Sequence, residues 1–244
     1  MPELELPCIR VVIPALNEER SIGDALAALA AQEYPRDRYE VIVVVDSKTS
    51  DGTVGICETY GVKILVDAEW HTIGGATDLG FRYPGEPEVL ASTHADTRPS
   101  KDWLRTIGRA LAGGSGYDGV GGPLHARVED GLMPEFAYGF SNVANELMGK
   151  LLGRSYFAGP NYAYRREAYL RVGGLNRELL AGDDNDLSIR MGKAGARLLY
   201  EPKMRVFTSS RRFDEGYLHT LVTYTKLFIA TNLGRGSHRF KHVR

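Results

Sequence analysis

His94 and Asp96 stand two residues apart in Thr93-His94-Ala95-Asp96-Thr97, directly after the apolar run Val89-Leu90-Ala91. A buried strand that ends this way delivers both side chains to the C-terminal edge of a sheet, where open α/β sheets place their ligand crevice. In extended chain, side chains two apart leave on the same side, which suits one cation, or one cation and a hydroxyl. The competing reading is a polar turn in which Asp96 caps the helix opening near Ser100. A second cluster, Asp183-Asp184-Asn185-Asp186, opens a helix. Capping and the helix dipole account for one or two acids there. Four acceptor side chains in a row exceed that need and point to binding or general-base work. Glu18, Asp46 and Asp78 add carboxylates at the ends of expected strands or in turns. Carboxylates repel bare phosphate, so this set implies a diphosphate bridged by a divalent cation, recognition of ribose or base, or proton abstraction.

The elements that must carry these residues are legible from periodicity. Ile9 to Ile13 reads as a first strand stopped by Pro14, followed by a helix from about Ser21 with Ile22, Leu26 and Leu29 at helical spacing. Tyr39 to Val45 is a β-branched run typical of a strand covered on both faces, and it ends in Asp46 to Thr53, a polar turn. A short helix and a strand at Val62 to Val66 follow. Gly74 to Gly80 reads as a small-residue turn entering another helix. The strand around Leu90 comes next, then a helix from Ser100 to about Leu111 and a strand at Gly119 to Pro123. Four repeats of strand, polar turn and helix with right-handed crossovers predict a parallel, doubly wound sheet. Farther on, Phe136 to Leu152 is expected as a helix with Phe136, Phe140, Val143, Leu147 and Leu151 in one stripe. Short strands are expected at Tyr162 to Tyr164, Arg197 to Tyr200 and Arg205 to Thr208.

Bulk numbers narrow the class. The 244 residues, 43% hydrophobic and 25% charged, describe an ordinary globular chain with a proper core. A net charge of −1 gives no general attraction for nucleic acid. The two cysteines make neither a disulfide framework nor a metal spacing, which fits a reducing compartment. No signal peptide is visible, and no stretch reaches the roughly 18 apolar residues of a membrane span. The expected location is cytoplasmic. From Gly216 to Arg244 no acid occurs, while Lys226, Arg235, Arg239, Lys241 and Arg244 are basic. Such an end is either solvated or rests peripherally on the cytoplasmic face of an anionic membrane. The absence of G-x-G-x-x-G after the first strand, and of G-x-x-x-x-G-K-[ST] anywhere, argues against a dinucleotide dehydrogenase or a P-loop ATPase.

Taken together, Val12-Ile13-Pro14-Ala15-Leu16-Asn17-Glu18-Glu19, Val43-Val44-Val45-Asp46 leading to Ser50-Asp51-Gly52-Thr53, Thr93-His94-Ala95-Asp96-Thr97 and Gly182-Asp183-Asp184-Asn185-Asp186-Leu187 resemble glycosyltransferase family 2. The match runs in order from about Ile9 to Phe213. The resemblance implies an α/β fold of the GT-A type: a single large domain over residues 1–213 with a mostly parallel central sheet and helices on both faces. Residues 214–244 would then be a C-terminal amphipathic helix and basic tail. It also implies an inverting transferase that moves a sugar from a UDP- or GDP-linked donor to an acceptor, assisted by manganese or magnesium; the lost Gln of Q-x-x-R-W and the lack of a membrane span make it non-processive, and the aromatic-rich second half with the basic C-terminal stretch would suit a lipid-linked phosphate as acceptor in place of a glycan. Pro14, Asn17 and Glu18 would border the nucleotide, and Asp46 would hold its base. The turn from Gly75 to Gly80 would close over ribose or diphosphate, with Asp78 its contact. Asp96 matches the last acid of the family's D-x-D motif, the usual metal ligand, and Asp184 matches its general base, with Asp183 beside it toward the acceptor.

Two departures bear on this. The first acid of D-x-D is His94, which either binds the cation, shifting preference toward manganese or a later metal, or touches ribose only. Where processive members carry Q-x-x-R-W, this chain has Ser209-Ser210-Arg211-Arg212-Phe213, whose arginines could hold a phosphate of donor or acceptor bidentately. His71 and His125 read as loop residues, with completion of a metal site the alternative for His125. Trp70 and Trp103 read as packing residues. Rival readings are a catalytically inactive nucleotide-sugar-binding scaffold and a sugar nucleotidyltransferase, the latter disfavoured because Ala15 to Glu19 is acidic where a basic glycine-rich loop would grip triphosphate.

Overall fold

The computed structural model describes residues 6–152 and 157–214, together with 216, 220 and 222; the side chains of 144, 145, 148–152 and 212 are not included. The first half alternates strands and helices as the periodicity requires. The elements are β1 (Ile9–Ala15), α1 (Ile22–Ala30), β2 (Tyr39–Asp46), α2 (Thr53–Thr59), β3 (Lys63–Asp67), α3 (Ile73–Phe81), β4 (Val89–Ser92), β5 (Thr97–Pro99) and α4 (Trp103–Ala110). β1 runs on through Pro14 because its partner there, Val44, belongs to a strand that continues to Asp46. The second half carries β6 (Gly119–Gly121), β7 (Leu124–Ala126), α5 (Leu132–Leu152), β8 (Tyr162–Arg165), α6 (Arg166–Arg171), α7 (Asp183–Lys193), β9 (Leu198–Tyr200) and β10 (Val206–Thr208).

Seven strands form the main sheet in the order β3-β2-β1-β4-β8-β6-β9. As expected the sheet is mostly parallel; β8, from the second half, lies antiparallel to both β4 and β6. The other joints are parallel. Alternation along the strands sorts the core into two layers. Ile9, Val11 and Ile13 of β1 meet Leu26 and Leu29 of α1 and Trp103 and Ile107 of α4. Val12 joins Ile42 and Val44 of β2 against Phe81 of α3, Tyr169 of α6 and Leu187 and Met191 of α7. Helices therefore cover both faces. Trp103 is fully buried, its indole N–H donating to Asn161 2.8 Å away, as expected of a packing residue. Tyr162 and Tyr164 are buried in the second layer.

A second, three-stranded sheet, β5-β10-β7, sits beside the crevice edge. β10 runs antiparallel to β5, with Thr208 opposite Thr97, and parallel to β7. Among the described residues no helix is long and apolar enough to cross a membrane. The expected amphipathic helix and tail of residues 214–244 lie outside the described residues, except for Asp214 and the isolated residues 216, 220 and 222.

Candidate active site

Because β3, β2, β1 and β4 are parallel, the loops that follow them all emerge at one edge. The loop after β1 is latched to the loop after β2 by four hydrogen bonds. Asn17 Oδ1 accepts from Ser50 N–H at 2.9 Å, Glu18 N–H donates to Thr53 Oγ1 at 2.8 Å, Glu19 N–H donates to Asp51 Oδ2 at 3.1 Å, and Glu19 Oε2 accepts from Gly52 N–H at 2.9 Å. Asn17 has a φ of 53°, in the left-handed region that asparagine tolerates better than most residues. The acidic stretch Asn17-Glu18-Glu19 and the turn Ser50 to Thr53 thus act as one rigid rim.

Asp46 is buried at the end of β2, where its Oδ1 accepts from Lys48 N–H and pairs with His71 Nδ1, each at 2.9 Å. His71 is held there by Asp67, whose carboxylate also accepts from the N–H groups of Glu69 and Trp70 and curls the loop after β3. The φ of His71 is 51°, an uncommon conformation for histidine. The pairing of His71 with Asp46 has no local sequence signal, because it depends on the register that sets Asp46 beside Asp67.

His94 and Asp96 occupy a turn, closed by Thr97 N–H donating to His94 O at 3.1 Å, and not an extended strand end. The same-side argument therefore does not apply to them, and Asp96 caps no helix. Instead Arg211 Nε lies 3.0 Å from Asp96 Oδ2, while its Nη1 donates to Glu18 Oε2 at 3.0 Å and its Nη2 to Glu18 Oε1. Ser21 Oγ also donates to Glu18 Oε2, at 2.6 Å. The second sheet brings this about. Since β10 lies antiparallel to β5, residues just after β10 run beside residues just before β5, and Ser209 N–H donates to Asp96 O at 3.1 Å. Burial alone would lower the basicity of Arg211, but Glu18 and Asp96 outweigh it and hold the guanidinium above its usual value. The side chain of Arg212 lies outside the described residues.

The N-terminus of α7 closes the opposite side. Gly182 enters the helix with a φ of 77°. Asp184 Oδ2 accepts from Gly159 N–H and Oδ1 from Asn185 N–H, both at 2.7 Å. A Cβ on Gly159 would stand 3.2 Å from His94 Nε2 and 3.6 Å from Asp184 Oδ2, so imidazole and carboxylate face one small space across a residue without a side chain. Asp183 packs against the first turn of α3, where a Cβ on Gly74 would come within 2.9 Å of its Oδ2. Burial, and then the neighbouring charges of Asp184 and Asp186, push the Asp183 carboxyl up to about 7.

Three expectations need correction. Gly74 to Gly80 is not a turn but the body of α3. Its glycines admit neighbours: a Cβ on Gly75 would meet Trp70 at 2.3 Å, and one on Gly80 would meet Val12 at 2.5 Å. Gly75 N–H donates to Thr72 Oγ1, the helix cap, so it is not offered to a phosphate. Asp78 is fully buried, with its oxygens bonded to Arg82, Arg177 and the hydroxyl of Tyr169, which removes it from contact with ribose or diphosphate. His125, expected in a loop, lies on β7, pairs with Glu135 at 2.9 Å and among the described residues joins no group of three potential metal ligands. The Arg177 guanidinium also stacks 5.0 Å over the Trp70 ring, so that indole packs as expected.

Among the described residues no group of three His, Cys, Asp or Glu side chains gathers as a metal cage. Asp96 and His94 can supply one donor each. A cation held by one or two protein groups takes its remaining ligands from substrate phosphates and water, so this donor set fits an ion that arrives with a diphosphate.

The profile of the family described as "Glycosyltransferase like family 2" matches residues 7–221. Glycosyltransferase AglE of Haloferax volcanii is 28% identical over 216 residues, which cover 86% of this chain and 69% of AglE. The probable glycosyltransferase YdaM of Bacillus subtilis is 28% identical over 81% of this chain, which spans only 50% of YdaM. Among solved structures, the mannosyltransferase PcManGT of Pyrobaculum calidifontis, in complex with GDP-Man and Mn2+, aligns with a TM-score of 0.70 and 22% identity over 93% of this chain and 66% of its own. Glucosyl-3-phosphoglycerate synthase of Mycobacterium tuberculosis, with Mn2+, UDP and phosphoglyceric acid, aligns at 0.65 and 19% over 94% of this chain and 78% of its own. At these identities the structural matches establish a shared fold.

Proposed function

Because the chain belongs to glycosyltransferase-like family 2, we propose that it transfers a sugar, with inversion and without processivity, from a UDP- or GDP-linked donor to a hydroxyl or phosphate acceptor. The observation that carries this reading is the gathering of Asp46, Glu18, Asp96, His94 and Asp184 at one sheet edge from four separate segments. Complexes of the fold neighbours with GDP-Man and Mn2+, or with UDP and Mn2+, support the donor class.

In this reading Asp46 and the Asn17–Glu18 rim border the nucleotide, with Pro14 behind them at the end of β1. Asp184 takes the proton of the acceptor as its oxygen attacks the anomeric carbon from the face opposite the leaving diphosphate. The Gly159 and Asn185 N–H groups fix the Asp184 carboxylate, so no reorganisation is needed when it acts. Asp183, beside it, faces the acceptor side. Arg211, released from Asp96, holds a phosphate oxygen of donor or acceptor. A manganese or magnesium ion on Asp96, with His94, would neutralise negative charge on the leaving diphosphate. The acceptor is a glycan or a lipid-linked phosphate, and the five basic residues in the sequence after Gly216 would suit the lipid-linked one at an anionic membrane face.

One observation favours a second reading. His94 in place of the first acid, together with Arg211 on Asp96, suits a protein that binds nucleotide sugar and does not turn it over. Calorimetric titration of UDP and GDP with manganese, with magnesium and with EDTA tests the donor site. Metal-dependent binding of one nucleotide, lost in Asp96→Ala, supports the transferase, and no binding under any condition sinks it. Release of nucleotide from the matching donor then separates transferase from scaffold.

A further inference from the structure

Helix α5 is mounted with its polar side inward. Glu135 pairs with His125 and accepts from Ala126 N–H at 2.8 Å, and Asn142 bonds both the N–H and the C=O of Leu124. Tyr138, on the same side, is buried against Phe213 and donates to Ser209 O at 3.0 Å. The opposite side carries Leu132, Met133, Phe136, Phe140, Val143 and Leu147, whose exposures run from 87% at Leu132 to 55% at Leu147. The spacing of four, four, three and four residues from Leu132 to Leu147 makes one continuous stripe about 22 Å long. Side chains of this size do not stay in water at helical spacing without something to cover them.

Two observations say what covers it. Phe213 packs on Tyr138 at the inward side of α5, and the sequence from Gly216 onward carries five Lys and Arg and no acid. An apolar helical stripe in a chain that also carries a basic segment is the pair of signals that holds a protein on an anionic bilayer, where either signal alone is marginal. The stripe also begins at the rim of the candidate site. Arg127, just ahead of α5, donates to Asp96 O at 2.6 Å, and Asp130 accepts from Ser210 N–H at 2.7 Å.

We infer that the α5 stripe is an interfacial docking face, seated in the headgroup region of an anionic lipid bilayer so that the rim of the site faces the membrane. The inference rests on the lipid-linked acceptor proposed above, and extends membrane contact from the tail to a helix of the fold.

The test uses the full chain carrying Phe136→Cys with Cys8→Ser, labelled at position 136 with an environment-sensitive fluorophore; Cys57 is buried. Vesicles of phosphatidylcholine with phosphatidylglycerol, vesicles of phosphatidylcholine alone, and buffer are compared across a range of protein concentrations. The expected result is a blue shift with the anionic vesicles alone, and a loss of vesicle affinity of about tenfold or more on adding Phe140→Ser. A blue shift already present in buffer at the lowest concentration overturns the inference in favour of the chain's own C-terminal segment. A shift that grows with protein concentration without lipid overturns it in favour of a second copy. An equal shift with neutral vesicles, or none anywhere, overturns it as well. Nucleotide titration of the same sample reports the donor site independently, so retained UDP or GDP binding without a lipid response removes only the docking face.

Discussion

Arg211 and Asp96 form an ion pair of 3.0 Å across 115 residues of sequence, and the same guanidinium grips Glu18 from the other side. The pair places a fixed positive charge against the carboxylate that the family resemblance assigns to the metal. A cation approaching Asp96 must therefore compete with Arg211 or displace it. With Arg211→Ala, manganese binding in the absence of nucleotide should tighten roughly tenfold, because Asp96 loses its resident cation. Transfer should nevertheless fall about 100-fold, since the phosphate loses a bidentate donor. Manganese titration followed by electron paramagnetic resonance, alongside donor turnover, checks both. Unchanged manganese affinity would show that Asp96 does not hold the ion. Stability should move by no more than about 1 kcal/mol, as Arg211 is half exposed.

Asp184→Asn separates binding from chemistry. Asparagine keeps an oxygen for the Gly159 N–H but cannot take a proton. The turnover number should drop on the order of 100- to 10,000-fold while nucleotide affinity stays within about twofold. A comparable loss in affinity would make Asp184 a donor-binding residue instead of the base.

Asp183 predicts a pH dependence. Its carboxyl is raised from 3.8 to about 7, so the folded chain holds this proton more tightly than the unfolded chain does. That contribution to stability is present in full below the unfolded pKa and is lost as pH rises through about 7. Denaturant titrations should show wild type losing about 1–3 kcal/mol relative to Asp183→Asn between pH 4 and pH 8, with partial exposure moderating the effect. Parallel pH curves for the two proteins would refute it.

Asp78 is predicted to be structural. It neutralises Arg82 and Arg177 inside the fold, so Asp78→Ala leaves two partly buried guanidinium groups without their partner. The expected cost is about 3–5 kcal/mol in thermal or denaturant unfolding. Nucleotide affinity, measured at a temperature where the variant remains folded, should be unchanged. Weakened affinity there would return Asp78 to the ligand site.

The parts of this protein that the chain declares locally are those set by side-chain period. β-Branched runs ending in Asp46, in His94-Ala95-Asp96 and beside Asn17-Glu18 already place these groups at one edge, because parallel crossovers leave all such loops on the same side. The acids that open α7 are equally plain from composition. Tertiary structure alone decided which of these groups meet. Arg211 reaches Asp96 through the pairing of β5 and β10, strands of three residues each, too short to carry a readable pattern. Asp78 was drawn inward by arginines 4 and 99 residues away, and the glycines around it serve helix-to-sheet contact that no window of sequence exposes. The α5 stripe is visible as a stripe in either setting, but only the hydrogen bonds of Glu135 and Asn142 to β7 turn it outward. Period determines which residues share a face; long-range pairing determines what that face meets.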